Sequence, residues 1–259
     1  MKKQLLALFM AIVPSLALAA GGGNVHLDEM KPDIYDQPSL QRGAHLFVNY
    51  CMGCHSMQYQ RFSRTAEDIG IPQDVVEQNL IFSSAIKYND QMRIAMNPKD
   101  AAQWFGAPPP DLTLTARLRG TDWIYTYLRS FYVDPARPWG TNNTVFPDVG
   151  MPHVLEPLQG VQTKVCEPGS EAAAKATVVD PLTGKTSGGN EGCFKLVKQG
   201  SMSPQEFDKA MYDLTNFLAY VGEPSKLESN EIAPKVLIFI VIFFFVSYLL
   251  KKEYWRDIH

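Results

Sequence analysis

The 259-residue chain is short of several things, and each shortage narrows what it can do. It has no excess of positive charge: 24 Lys and Arg stand against 27 Asp and Glu, a formal net charge of −3. Residues 1–19 hold two lysines and no acid, so their removal would take the charge from −3 to −5. A mildly acidic body argues against nucleic acid as a partner and suits a basic protein partner. Cysteines number only four, and two of them, Cys166 and Cys193, lie 27 apart without histidine neighbours. That spacing does not complete a zinc site. Alternating apolar and polar runs are few, which predicts little sheet. There is no internal repeat. Nor is there a charge between residues 236 and 250, and that absence turns attention to the ends of the chain.

Both ends carry apolar runs, and they differ in kind. Lys2 and Lys3 precede an apolar stretch over residues 5–18, broken by Pro14 and Ser15. Ala17, Leu18 and Ala19 give the small-x-small form of a signal-peptidase site, so residues 1–19 read as a signal peptide. The stretch is shorter than the ~20 residues a membrane span needs. The second run covers residues 232–250, which at ~1.5 Å per residue reaches ~28 Å. That matches the hydrocarbon thickness if Lys235 snorkels to the interface. Lys251, Lys252 and Arg256 follow it, with Tyr254 and Trp255 at headgroup depth. The positive-inside rule places the tail, residues 251–259, in the cytoplasm. The signal peptide independently places residues 20–228 on the other side, in the periplasm of a bacterial inner membrane.

The body between the ends reads as mainly α with long loops. Leu40, Ala44, Phe47 and Val48 recur at helical spacing over residues 39–50. Residues 73–80 and 121–132 are further helix candidates, and the segment holding Met92 and Met96 also looks helical. Ala107, Pro108, Pro109 and Pro110 must be extended. Residues 135–157, rich in proline, glycine and asparagine, read as loop. Residues 169–192 are small, polar and glycine-rich, and read as a mobile surface insertion. Ser203 and Glu206 form a capping box with Pro204 at the first helical position. Phe207, Met211, Leu214, Leu218 and Val221 then make one apolar stripe, and Gly222 and Pro224 end the helix.

The chemistry lies in Cys51, Met52, Gly53, Cys54 and His55. C-x-x-C-H is the signature of covalent haem attachment. Two thiols three positions apart can each add to one vinyl group of a haem c. The histidine that follows is then held beneath the iron as an axial ligand. A thioredoxin-like dithiol would want a strand before the motif, whereas here a helix leads in. A signal peptide agrees with haem attachment outside the cytoplasm. For the other axial position, a methionine thioether would make a high-potential electron carrier. Met57 is too close to His55 to cross the ring, and Met92 and Met96 read as core. Met151 sits in a stiff loop, residues 146–152, far enough on for the chain to have wrapped around the haem. His153 competes with it two residues later; His45 and His26 are weaker rivals.

Taken in order, these segments resemble one family. Arg42 and Gly43 through Tyr50, the C-x-x-C-H motif, and Ser56 and Met57 are similar to the haem-binding helix of cytochrome c1. Ala107 to Leu112, followed by Ala116, Arg117, Leu118, Arg119 and Gly120, resembles its proline loop and the arginine beyond. Val149, Gly150, Met151 and Pro152 resemble its methionine loop. The last helix and the single C-terminal span complete the pattern.

The resemblance implies a class I cytochrome c-like haem domain with one C-terminal transmembrane helix. It implies one haem c held by Cys51 and Cys54, with His55 and Met151 as iron ligands. It implies that Arg119 holds a haem propionate and that a carbonyl of the proline loop, up to Pro110, takes the free ring N–H of His55. A tyrosine found near the propionates in some relatives would fall at Trp123 here, with Tyr125 close by. The implied partners are cytochrome b, the Rieske iron–sulfur protein, a soluble cytochrome c acceptor and membrane lipid, in a dimeric complex. The implied role is electron transfer: the subunit receives an electron from the Rieske protein and passes it to cytochrome c. It is then part of an oxidoreductase and not an enzyme alone. A membrane-tethered cytochrome serving an oxidase is the rival reading. A haem sensor would need an output domain, for which nine residues beyond Leu250 are too few.

Cys166 and Cys193 are expected to pair. Both lie on the side where thiols are oxidised, and they bracket the glycine-rich insertion.

Overall fold

The computed structural model describes residues 25–166, 177–179, 186–188 and 193–256. The expected signal peptide lies outside the described residues, as do the last three residues of the tail and most of the glycine-rich insertion.

Helix α1, Gln37–Leu46, begins at Asp36, whose carboxylate accepts the Ser39 amide. It does not run on as α-helix to residue 50. It widens into a π-helical turn over Phe47–Cys51, directly before the two cysteines. A widened turn displaces the backbone that follows it, and such turns are frequent at functional sites. Strand β1, Met57–Arg61, follows, then α2, Phe62–Ile69, which Gly70 closes in the left-handed conformation. Next are α3, Gln73–Asn79, strand β2, Gln91–Met92, and α4, Pro98–Phe105. The segment around Met92 is therefore strand and coil, not helix. Met57 and Met92 face each other across the β1–β2 pair, and both are buried. Tertiary pairing has overridden a weak helical pattern there.

The proline loop is extended, as expected. Helices α5, Thr115–Arg119, and α6, Thr121–Arg129, follow it, hinged at Gly120 with φ 85°. Helix α6 stops three residues before the expected end. Phe131–Val133 forms β3 instead and pairs with β4, Thr141–Asn143. Aromatic and β-branched residues take the strand where a partner is offered. The 135–157 stretch is mostly loop but contains β4 and the start of the short helix α7, Glu156–Gln159.

Strand β5, Gly160–Lys164, pairs antiparallel with β8, Phe194–Gln199. Between them lies the short pair β6, Thr177–Val179, and β7, Thr186–Gly188. Cys166 and Cys193 are joined in a disulfide just beyond the open end of the β5–β8 pair. The Val165 amide donates to the Cys193 carbonyl at 2.8 Å beside it. Among the described residues, sheet occurs only as such two-stranded pairs.

Helix α8, Pro204–Gly222, carries the expected capping box and buries its apolar stripe. It crosses α1 at Gly43, where an added Cβ would collide with the Asp213 carbonyl and the Phe217 side chain. Arg42 fastens the crossing with a two-pronged pair to Asp213, at 2.6 and 3.0 Å. Leu40, Ala44, Phe47, Leu214, Phe217 and Leu218 share one core. This crossing fixes the helix that leads into the cysteines.

The last helix, α9, runs over Lys226–Tyr254 and passes through Pro234 without a break. Its stretch Ile232–Tyr254, 23 residues long, is exposed throughout, and residues 236–250 within it carry no charge. At ~1.5 Å per residue it reaches ~35 Å, enough to cross a bilayer. Its base is held to the body by Arg64, which pairs with Asp68 at 2.7 Å and with Glu228 at 3.2 Å.

Candidate haem-binding site

Cys51 ends the π-turn, and the chain then tightens. The Cys54 and His55 amides both donate to the Cys51 carbonyl, at 3.0 and 2.9 Å. One turn thus presents both thiols and the imidazole. The thiols are not bonded to each other. Burial, with Cys54 beside it, pushes the Cys51 thiol up to about 12. Cys166 and Cys193 are used on each other, so they cannot complete a four-sulfur zinc site with Cys51 and Cys54.

The His55 ring is buried, and its Nδ1 lies 2.7 Å from the Pro110 carbonyl oxygen. A proline carbonyl only accepts, so Nδ1 carries the proton and donates. This sets the tautomer and leaves Nε2 with its lone pair. Burial lowers the His55 pKa, with the Pro110 bond opposing, so the ring stays neutral, the form that binds a metal.

Pro110 is held in place by its neighbour. The Asp111 carboxylate accepts the Gln58 amide at 2.8 Å and the Thr113 amide and hydroxyl at 3.0 and 2.5 Å. The Leu112 amide donates to the Ser56 carbonyl at 2.9 Å. The proline loop is therefore docked on the residues that follow His55.

Met151 lies in a loop with its own fastenings. Asp148 adopts a left-handed φ of 61°, and Arg137 grips both its carboxylate and its carbonyl, at 2.9 and 2.8 Å. Gly150 approaches the Phe105 carbonyl so closely that an added Cβ would stand 2.9 Å from it. The Met151 sulfur accepts the Tyr127 hydroxyl at 3.4 Å.

The model of the cytochrome C1 family matches residues 29–164. The chain belongs to the cytochrome c1 family. It is 49% identical over its whole length, and over the whole length of the relative, to a cytochrome c1 of Allochromatium vinosum. It is 42% identical over 98% of its length to a protein of Nitrosomonas europaea named ammonia monooxygenase gamma subunit, 97% of which is covered. It is 28% identical over 87% of its length to a cytochrome b/c1 of Bradyrhizobium diazoefficiens, where it covers 34% of the longer chain. The family carries covalent haem c and transfers electrons as part of a bc1 complex.

The donor set of this cytochrome c1-family chain fits that group. Two unpaired thiols and an imidazole with one committed nitrogen stand on a single turn. The expected residues fall into two sets. Cys51, Cys54, His55 and Pro110 meet directly. Arg119 and Met151 are linked through aromatic rings. The exposed Arg119 guanidinium lies 5.0 Å over Trp123, Trp123 stacks on Tyr127 at 5.0 Å and 9°, and Tyr127 reaches Met151.

The rival ligands differ in their surroundings. His153 stacks face to face on Phe131 at 4.8 Å and 4°, and burial pushes its pKa down to about 4. His26 and His45 are exposed. Tyr125 does not take the place of Trp123 in this set; it is buried beneath the Arg129 guanidinium, 4.3 Å from its ring.

Three site residues escape a reading of the motifs. Tyr127 donates to the Met151 sulfur. Asp111 aims the proline loop. Asn143, fully buried, donates to the Tyr127 carbonyl at 2.8 Å and accepts the Val145 and Phe146 amides at 2.9 and 3.2 Å. It joins the end of α6 to the methionine loop. The only sequence signal was the four-residue spacing of Arg119, Trp123, Tyr127 and Phe131.

Proposed function

We propose that the chain is the electron-exit subunit of a quinol-oxidising bc1 complex. It receives an electron from the Rieske iron–sulfur partner and delivers it to a soluble cytochrome c. Cytochrome b and the Rieske protein are its partners in a dimeric complex. Haem c, bound through Cys51 and Cys54, supplies the one-electron chemistry. The protein supplies ligation, orientation and a dry pocket.

The observation that carries this reading is the His55–Pro110 bond within a C-x-x-C-H turn. It orients the imidazole and leaves Nε2 as the iron ligand. Met151 would supply the second iron ligand. A thioether there raises the potential, which the step needs because Rieske donors reach roughly +300 mV. Arg119 neutralises a haem propionate. The α9 helix anchors the subunit, with residues 20–228 in the periplasm and residues 251–259 in the cytoplasm after the signal peptide is removed.

Detergent extraction of membranes followed by purification through a tag on this chain tests the reading. Cytochrome b and the Rieske protein are expected to come with it, and quinol–cytochrome c reductase activity with them. A chain that purifies alone while that activity stays in another fraction overturns the proposal. The same purification separates it from the complex named in the Nitrosomonas relative.

A further inference from the structure

We infer that Tyr127 is a positioning residue for the axial sulfur, holding Met151 by a hydrogen bond that raises the reduction potential of the site. The inference rests on Met151 being an iron ligand.

The Tyr127 ring is held between two aromatic neighbours, and its backbone carbonyl is held by two more residues. Trp123 stacks on it at 5.0 Å, and Phe131 meets it edge-on at 5.1 Å and 70°. Asn143 and Ser130 both bond its carbonyl, the latter through amide and hydroxyl. So placed, the hydroxyl donates to the Met151 sulfur at 3.4 Å.

A thioether is a weak acceptor. For packing alone, phenylalanine would serve better here, because a largely buried hydroxyl gains little from such a partner. The arrangement makes sense through what it does to the sulfur. Thioether sulfur has two lone pairs. A donor on one fixes the side-chain rotamer and leaves the other free for a metal. The bond also draws density from the sulfur, which weakens it as a donor to the oxidised iron more than to the reduced iron. The reduced state is favoured, and the potential rises.

Asn143 makes the placement specific. Its side chain carries the Tyr127 carbonyl on one side and the Val145 and Phe146 amides on the other. Donor and acceptor therefore move together, although they lie on different segments.

Tyr127→Phe in the intact membrane complex tests this, with Met151→Leu in parallel. Redox titration of Tyr127→Phe should show the reduction equilibrium displaced twofold to fivefold toward the oxidised form, about 20–40 mV at ~59 mV per tenfold. The sulfur-to-iron absorption band of the oxidised protein should persist but shift. Covalent haem and the melting temperature should be unchanged, which a merely structural role would not combine with a shifted potential. An unchanged potential and an unshifted band, alongside a Met151→Leu protein that has lost the band, would overturn the inference and leave the ligand assignment standing. If Met151→Leu itself keeps the band, the ligand assignment falls, and the inference with it.

Discussion

The two sides of the site are held by different physics. On the His55 side, three functional groups share five consecutive residues, and one short loop docks on them through Asp111 and Leu112. On the Met151 side, a single sulfur is carried by a long loop. That loop depends on Arg137, Asn142, Asn143 and the left-handed Asp148. The first side is local in sequence, and the proposed haem attachment would add a covalent clamp. The second is assembled by side chains from several segments, and every restraint on it is non-covalent. The first should survive substitutions that the second does not.

The largest effect is expected at Met151 itself. Met151→Leu should leave covalent haem in place but open the axial position, shifting the reduction equilibrium by ~100-fold or more toward the oxidised form, roughly 120 mV. Redox titration checks it. An unchanged potential would point to another ligand, with His153 the first to examine, and would break the comparison.

Next comes Asn143→Ala, which removes a buried amide serving both α6 and the methionine loop. The groups left without partners should cost roughly 2–3 kcal/mol in unfolding free energy. The haem should stay attached while Met151 ligation loosens, seen as a weakened sulfur-to-iron band.

The smallest effect on ligation is expected on the other side. Asp111→Ala frees the half-buried Gln58 amide and the amide and hydroxyl of the buried Thr113, at about 1–3 kcal/mol. Because His55 is placed by its own turn, its ligation should persist, with the ring less tightly oriented. If Asp111→Ala releases His55 more readily than Asn143→Ala releases Met151, the contrast between the two sides is wrong.

This contrast also governs what could be read from the sequence. The C-x-x-C-H turn, the capping box at Ser203 and Glu206, and the apolar C-terminal helix are set by residues within a few positions of each other. All were legible. So was the extended proline loop, because proline leaves few alternatives. The pairing of Cys166 with Cys193 was expected from compartment and count, and the structure joins them. What stayed hidden was set at long range. Helix α6 yields to strand at Phe131 because Asn143 lies opposite, twelve residues on. Met92 pairs with Met57 across a bulged ladder that no periodicity announces. The π-turn over Phe47–Cys51 looks, in sequence, like ordinary helix. Nothing in the sequence marks Gly43 as the place where α8 crosses. The Tyr127–Met151 bond joins two segments 24 residues apart, and neither segment alone predicts it.

A covalent haem at the locally built side would be carried by a single peptide. Trypsin should release residues 43–61, bounded by Arg42 and Arg61, from the protein purified from membranes. Mass spectrometry should find this peptide heavier by one haem, with no thiol open to alkylation. A peptide of unmodified mass, with Cys51 and Cys54 both alkylated or joined to each other, would contradict the account at its centre.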